Sequence, residues 1–250
     1  MPVIKVDDVS YAYPDGHKVL TGLGLEVEEG ERIAVLGPNG AGKTTLMLLL
    51  AGLLMPSGGG VEISGVRLDE KTVRDVRRKI GIVFQIPDDQ LFMPTVAADV
   101  AFGMANYGVT GDELDTRVRE ALEDVDLADA AERAPHHLSV GQQRRAALAG
   151  VLAMRPDCVV LDEPSANLDP ASRQQLARVV ARTVETLVLV THDLPYALQM
   201  CDRAVILDGG TVAAQGTVAE VLADDELLRR HRLELPFGFS LDLALEQMNA

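Results

Sequence analysis

Positive charge is scarce in this 250-residue chain: 23 lysines and arginines stand against 38 aspartates and glutamates, a formal net charge of −15. That balance argues against a nucleic-acid binder that works by neutralising phosphates, and against polybasic attachment to an anionic membrane. The acidic residues are spread along the chain, as on a well-solvated surface. Cysteine is scarcer still. Cys158 and Cys201 both lie in apolar, strand-like runs, which reads as core thiols rather than a disulfide or a metal pair and fits reduced, cytosolic chemistry. Long apolar runs are missing too. The longest, Leu46 to Met55, has ten residues, whereas a spanning helix needs about 20. The N-terminal MPVIKVDDVS has neither the charged nor the apolar region of a secretory signal. The expectation is a chain that does not cross a membrane itself but can bind a protein that does.

What is present is a core. Hydrophobic residues make up 47% of the chain, enough for one large α/β domain or one domain with a small appendage. Residues 3–13 and 23–28 read as strands of an opening antiparallel layer, and 31–36 as a short buried strand. A glycine-rich loop and an apolar helix over about 43–54 follow. Two short strands flank Ser64-Gly65, Arg74–Lys79 is a basic helical turn, and Ile80–Phe84 is a buried strand. From Val96 to about Leu127 the period is helical, with Leu114, Val118, Ala121, Leu122 and Val125 on one stripe and Gly108 and Gly111 as punctuation. A second helix runs from Gly141 to Met154, where Pro156 ends it. A strand at Cys158–Leu161, a helix near 170–183 and strands at 187–190 and 204–207 complete the alternation. Strands alternating with helices imply a parallel sheet, and the block at about 94–155 reads as a helical insertion into it. Residues 223–250 form a helical extension broken at Pro236-Phe237-Gly238.

Two motifs carry chemistry. Gly37-Pro38-Asn39-Gly40-Ala41-Gly42-Lys43-Thr44 fits G-x-x-x-x-G-K-T after a predicted strand and before a predicted helix. Such glycines let backbone N–H groups wrap around phosphates, and the helix N-terminus favours their charge. Lys43 is suited to the β- and γ-phosphates and Thr44 to Mg²⁺. The second motif is the apolar run Val159–Leu161 closed by Asp162 and Glu163. It delivers one acid suited to the metal, Asp162, and one suited to polarising the attacking water, Glu163.

A third string, Leu138-Ser139-Val140-Gly141-Gln142, has its Gly141 22 residues before Glu163. With these motifs in this order the chain resembles the ATP-binding subunit of ABC transporters, over roughly residues 3–222. The resemblance implies a P-loop NTPase (RecA-like) fold: a parallel sheet with an antiparallel β layer, an inserted α-helical subdomain and a short C-terminal helical tail. It makes residues 1–222 the ATPase domain. It assigns LSVGQ as the signature segment, Ser165–Asp169 as the D-loop, Thr191-His192-Asp193 as the switch-histidine segment and Gln85 as the Q-loop glutamine. It implies ATP and Mg²⁺ as cofactors and a head-to-tail dimer in which Ser139, Gly141 and Gln142 serve the ATP held by the other subunit. Glu163, His192, Gln85 and Lys43 are then the hydrolytic set. Residues 37–44 with Thr45, Tyr13 and Asp169 bind nucleotide, and Thr44, Gln85 and Asp162 hold Mg²⁺. Tyr13 is placed for adenine stacking because it precedes the Pro14-Asp15-Gly16 turn, with core packing as the alternative, since Tyr11 lies two residues away. Val140 departs from the glycine usual there.

Two further strings, Val83–Phe92 and Pro135–Ser139, resemble the energy-coupling-factor importers, especially their cobalt-type members, as does Leu227–Pro236. That branch implies a second ATPase subunit, identical or related, a transmembrane coupling protein and a membrane substrate-binding protein. The chain would sit at the cytoplasmic face of the cell membrane through those partners, with a transition-metal ion or a vitamin as cargo. Adjacent His136-His137 reads as structural or interfacial, because neighbouring side chains diverge and no cysteine or acidic cluster completes a metal site. Asp88-Asp89 reads either as a solvated loop or as the border of a partner's groove. The competing readings are another ABC importer or exporter, and a soluble ABC protein acting on DNA or ribosomes. The single cassette, the absence of sustained heptads and the acidic balance weigh against the last.

Overall fold

The computed structural model describes residues 2–248. The chain divides into two compact units, Met1–Arg77 with Thr186–Ala250, and Arg78–Glu185.

The first unit opens with β1 (Pro2–Ala12) and β2 (Lys18–Glu28), which pair antiparallel with Ile4 opposite Val27, Val6 opposite Leu25 and Val9 opposite Leu23. These apolar residues are buried while Lys5, Asp7 and Asp8 face solvent, the alternation of a half-covered sheet. Asp8, at φ 49°, lies within the register shift between Val6 and Val9. The second strand starts at Lys18 rather than at 23. The turn after Tyr13 folds Lys18 back onto Ala12 and Leu20 onto Tyr11, and Leu20 is buried by that pairing. Then come β3 (Arg32–Leu36), α1 (Lys43–Leu50), β4 (Gly58–Ile63), β5 (Val66–Arg67) and α2 (Val73–Lys79). Helix α1 stops before residue 54 because the chain turns left-handed at Gly52, φ 62°. Ser64 and Gly65, both at positive φ, make the tight β4–β5 turn. The antiparallel sheet has the order β2-β1-β4-β5.

The second unit begins with β6 (Ile80–Val83). Helices α3 (Val96–Asn106), α4 (Asp112–Asp124) and α5 (Val140–Ala153) follow, then β7 (Cys158–Asp162) and α6 (Pro170–Thr183). Gly108 and Gly111, at φ 85° and 65°, separate α3 from α4. On the α4 stripe Ala121 and Leu122 are buried, and so is Val125 just beyond the helix. Strands β6 and β7 pair in parallel from Ile80 opposite Cys158 to Val83 opposite Leu161. Helix α5 lies close on β6: a Cβ on Gly81 would stand 2.1 Å from Val151 Cγ1.

The chain then returns to the first unit. β8 (Leu187–Val190) lies parallel to β3, α7 (Leu194–Met200) follows, and β9 (Arg203–Asp208) lies parallel on the other side of β3. β10 (Thr211–Thr217) runs antiparallel to β9, so this unit carries the strand order β10-β9-β3-β8. β3 and β8 are almost wholly apolar and buried, as befits strands covered on both faces. The tail holds α8 (Val218–Ala223), α9 (Asp225–Arg230) and α10 (Leu241–Met248), with the predicted break at 236–238 between the last two. His231, just after α9, pairs with Asp208 at the end of β9 at 2.9 Å. Among the described residues no helix is long and apolar enough to cross a membrane.

Candidate active site

In the first unit two candidate groups lie at the C-terminal ends of adjacent parallel strands, where open α/β sheets place their ligands. β3 runs into the glycine-rich loop, and its neighbour β8 runs into Thr191 and His192, with the Thr191 N–H donating to Val35 O. Two of the loop's glycines are required by space. Gly37, at φ 152°, passes so close to β9 that a Cβ would meet Leu207 O at 2.2 Å, and one on Gly42 would meet Leu20 Cδ2 at 2.7 Å. Asn39 and Gly40 are exposed, while Gly37, Ala41, Gly42, Lys43 and Thr45 are buried. Lys43 Nζ donates to Gly37 O at 2.6 Å and Pro38 O at 3.0 Å, which holds the ammonium over the loop. Thr44 and His192 are exposed.

The two tyrosines differ in position. Tyr11 is buried, 9% exposed, whereas Tyr13 lies past the end of β1, 37% exposed. The Tyr13 hydroxyl is 3.3 Å from Thr45 Oγ1 on α1, and its ring meets Tyr11 edge-on at 5.2 Å. One tyrosine belongs to the core and the other stands beside the phosphate loop.

In the second unit Gln85 and Glu163 each lie two residues beyond the register pair Val83–Leu161, at the C-terminal ends of adjacent parallel strands. Asp162 and Glu163 are each 9% exposed, and Gln85 is exposed. Glu163 has φ 43°, uncommon for a residue with a long side chain and a form of local strain that collects at functional sites. One residue missed by sequence reasoning ties this region together. Arg144 of α5, 2% exposed, donates from Nη1 to Glu163 O at 2.6 Å and from Nη2 to Gln85 O at 3.0 Å and Ala166 O at 2.8 Å. In the sequence it is one more arginine in a helix. Only the tertiary arrangement shows that it links two loops through three carbonyls.

The signature segment forms the start of α5. Ser139 is its N-cap: Ser139 Oγ accepts from Gln142 N at 3.3 Å, and Gln142 Oε1 accepts from Ser139 N at 3.0 Å. The N–H of Gly141 is one of the first-turn donors for which the helix itself has no acceptor. Gly141 also has a packing reason to be glycine, because a Cβ would lie 2.9 Å from Ser172 of α6. Val140 is 45% exposed at the first helical position, so its Cβ causes no crowding within the chain. Asp169 caps α6, accepting from the N–H groups of Ala171 and Ser172 and from the Ser172 hydroxyl. These hydrogen bonds, led by the hydroxyl, hold its carboxyl below the usual range.

Beyond Gln85 the surface turns apolar. Ile86, Phe92 and Phe102 are exposed, and the two phenylalanine rings meet edge-on at 4.8 Å. Asp99 of α3 braces this patch by accepting from Phe92 N and Met93 N at 3.0 Å. Burial raises its carboxyl above the ordinary value despite these two bonds. Asp88 and Asp89 are exposed in a short 3-10 turn. His136 and His137 lie in another, their rings 4.3 Å apart, and no group of three potential metal-ligating side chains exists among the described residues. Both cysteines are buried and free. Burial pushes the Cys158 thiol up to about 12 and raises that of Cys201 as well.

Comparisons with known proteins identify the family. The ABC transporter family model matches residues 20–166, a span running from β2 through the phosphate loop, Gln85, the signature helix and Glu163. The chain is 57% identical over 238 residues to a Streptomyces avermitilis protein provisionally described as an ABC transporter ATP-binding protein, covering 95% of this chain and 91% of that one. It is 47% identical over 239 residues to the energy-coupling factor transporter ATP-binding protein EcfA of Methanothermobacter thermautotrophicus, covering 94% and 77%. Among solved structures it is similar to cbiO1 from Clostridium perfringens, part of the ABC transporter complex cbiONQ, with TM-score 0.82, 35% identity and coverage of 100% and 99%. The chain therefore has the P-loop NTPase fold and belongs to the ABC transporter family, as an ATP-binding subunit whose hydrolysis of ATP is coupled to transport.

Proposed function

We propose that this chain is the ATPase subunit of an energy-coupling-factor importer for a transition-metal ion, cobalt or nickel, or for a vitamin. It works at the cytoplasmic face of the cell membrane through partner proteins. The observation that carries this reading is the likeness to cbiO1, which extends over all of this chain, tail included.

On this reading the phosphate loop with Lys43 binds the β- and γ-phosphates of ATP, and Tyr13 stacks on the adenine. Thr44, Gln85 and Asp162 offer a hydroxyl, an amide and a carboxylate, hard oxygen donors that suit Mg²⁺ but need nucleotide oxygens to complete its shell. Held by these residues, Mg²⁺ would supply neutralisation of the charge on the transferred phosphoryl group. Glu163 takes the proton from the attacking water and His192 holds the γ-phosphate. Ser139, through its O–H, and Gly141, through its N–H, reach the ATP of a second subunit, a copy of this chain or a relative. ATP then closes the dimer, and hydrolysis with product release reopens it. The motion passes to a transmembrane coupling protein seated by the apolar patch of Ile86, Phe92 and Phe102, next to Gln85.

Affinity purification from detergent-solubilised membranes tests the assignment. A very hydrophobic small membrane protein together with a coupling protein is the expected catch. Ribosomes or DNA in their place would sink it. Uptake assays with Co²⁺, Ni²⁺ and vitamins then separate the cargo classes, and Gln85→Ala is expected to uncouple uptake from ATP binding.

A further inference from the structure

We propose that Arg144 is a positioning residue for hydrolysis: it clamps the turn that carries Glu163 and fixes that turn to the backbone of Gln85. The turn runs from Glu163 to Ala166 and is closed by its own hydrogen bond, Ala166 N–H to Glu163 O at 3.1 Å. Arg144 grips it at both ends, at Glu163 O and Ala166 O, and uses the same Nη2 to hold Gln85 O. A guanidinium stays protonated and projects its donors in a rigid plane, so one buried side chain spans three carbonyls that no shorter or single-headed donor can reach together.

The grip matters because of the backbone it acts on. Glu163 has φ 43°, a conformation that persists only where the surroundings enforce it. Fixing its carbonyl fixes the peptide plane on which its carboxylate is aimed. The third anchor, Gln85 O, lies two residues past the end of β6 and precedes the exposed apolar patch. A displacement of the Gln85 segment therefore pulls on the same guanidinium that orients Glu163. Through these backbone contacts Arg144 acts on the reaction by way of Glu163. Its neighbour Arg145 is also buried, but it lies near Asp126 and Arg182 and has no such link.

The proposal rests on Glu163 being the general base, and the test separates the two. Steady-state ATPase rates are measured for the purified chain, Arg144→Lys, Glu163→Gln, the double variant and Arg145→Lys. A misaimed base costs roughly 10- to 100-fold. Arg144→Lys should lose that much in kcat with KM for ATP within about threefold, and the double variant should be no slower than Glu163→Gln alone, since both changes act through one group. Arg145→Lys should keep the wild-type kcat. If Glu163→Gln hydrolyses rapidly, the base assignment fails. If Glu163→Gln is slow while Arg144→Lys keeps the wild-type kcat, or if the two losses multiply, only the clamp fails. If Arg144→Lys does not fold, Arg144→Gln, which keeps an amide donor without a buried point charge, is read the same way. If neither folds, the residue is structural and the proposal is overturned.

Discussion

Tyr13 shows how much one residue's placement can decide. Past the end of β1 its ring is open to a ligand on one side and backed by Tyr11 on the other, while its hydroxyl touches Thr45 at the start of α1. Stacking of a base on an aromatic ring contributes about 1–3 kcal/mol. Tyr13→Ala should therefore raise KM for ATP by roughly 5- to 150-fold with little change in kcat, and Tyr13→Phe should stay near wild type. A fall in kcat at unchanged KM would refute the stacking role. The sequence motifs were readable at this scale because each residue type has a narrow chemical use: glycines around phosphate, a lysine over it, an acid after a buried strand. Arg144 was not readable, because three carbonyl partners at sequence distances of 19, 59 and 22 residues leave no local pattern. Gly141 was readable only in part. The motif suggests a ligand contact for it, and the approach of Ser172 gives a structural reason to lack a side chain.

At the scale of elements, periodicity located the strands and helices, and the misjudged boundaries have physical causes. β2 starts early because its first residues pair with the end of β1 across a turn. α1 stops early because Gly52 is left-handed. What periodicity leaves out is how closely elements approach. Gly81→Ala should push α5 away from β6, since the new methyl would lie 2.1 Å from Val151 Cγ1. Overpacking of this kind costs about 1–3 kcal/mol, readable in urea unfolding, and Val151→Ala in the same chain should recover part of it. The tail has a different fastener. The hydrogen bond from His231, aided by its charge and that of Arg232, holds the Asp208 carboxyl below its ordinary value. A carboxyl with a depressed folded pKa stabilises the fold above its unfolded pKa of about 3.9 and loses that contribution as pH falls through the folded value. Asp208→Asn should therefore be less stable than wild type at pH 7, with the gap closing as pH drops below about 4. A gap that widened on acidification would contradict this sign.

For the whole molecule the decisive position is Val140. Its side chain meets nothing crowded within the chain and is 45% exposed beside Ser139 and Gly141. Any cost of having valine there must then appear between molecules. Val140→Gly in a Glu163→Gln background should shift ATP-dependent association toward dimer at lower protein concentration, as read by sedimentation. Because glycine is a poor helix residue, it should also lower stability by no more than about 1 kcal/mol. Equal association of the valine and glycine forms would show that this departure from the usual signature is neutral.

Both native thiols are sealed inside, in or beside buried strands, and burial disfavours their thiolates. To an alkylating reagent at neutral pH the folded chain is blank. A cysteine introduced at an exposed position such as Val140 would be a solitary handle, and a dye or spin label there would report the signature helix without first stripping the protein of its own sulfur. The same blankness makes maleimide uptake by the unaltered chain a clock for unfolding, because Cys158 and Cys201 become visible only when the strands around them come apart.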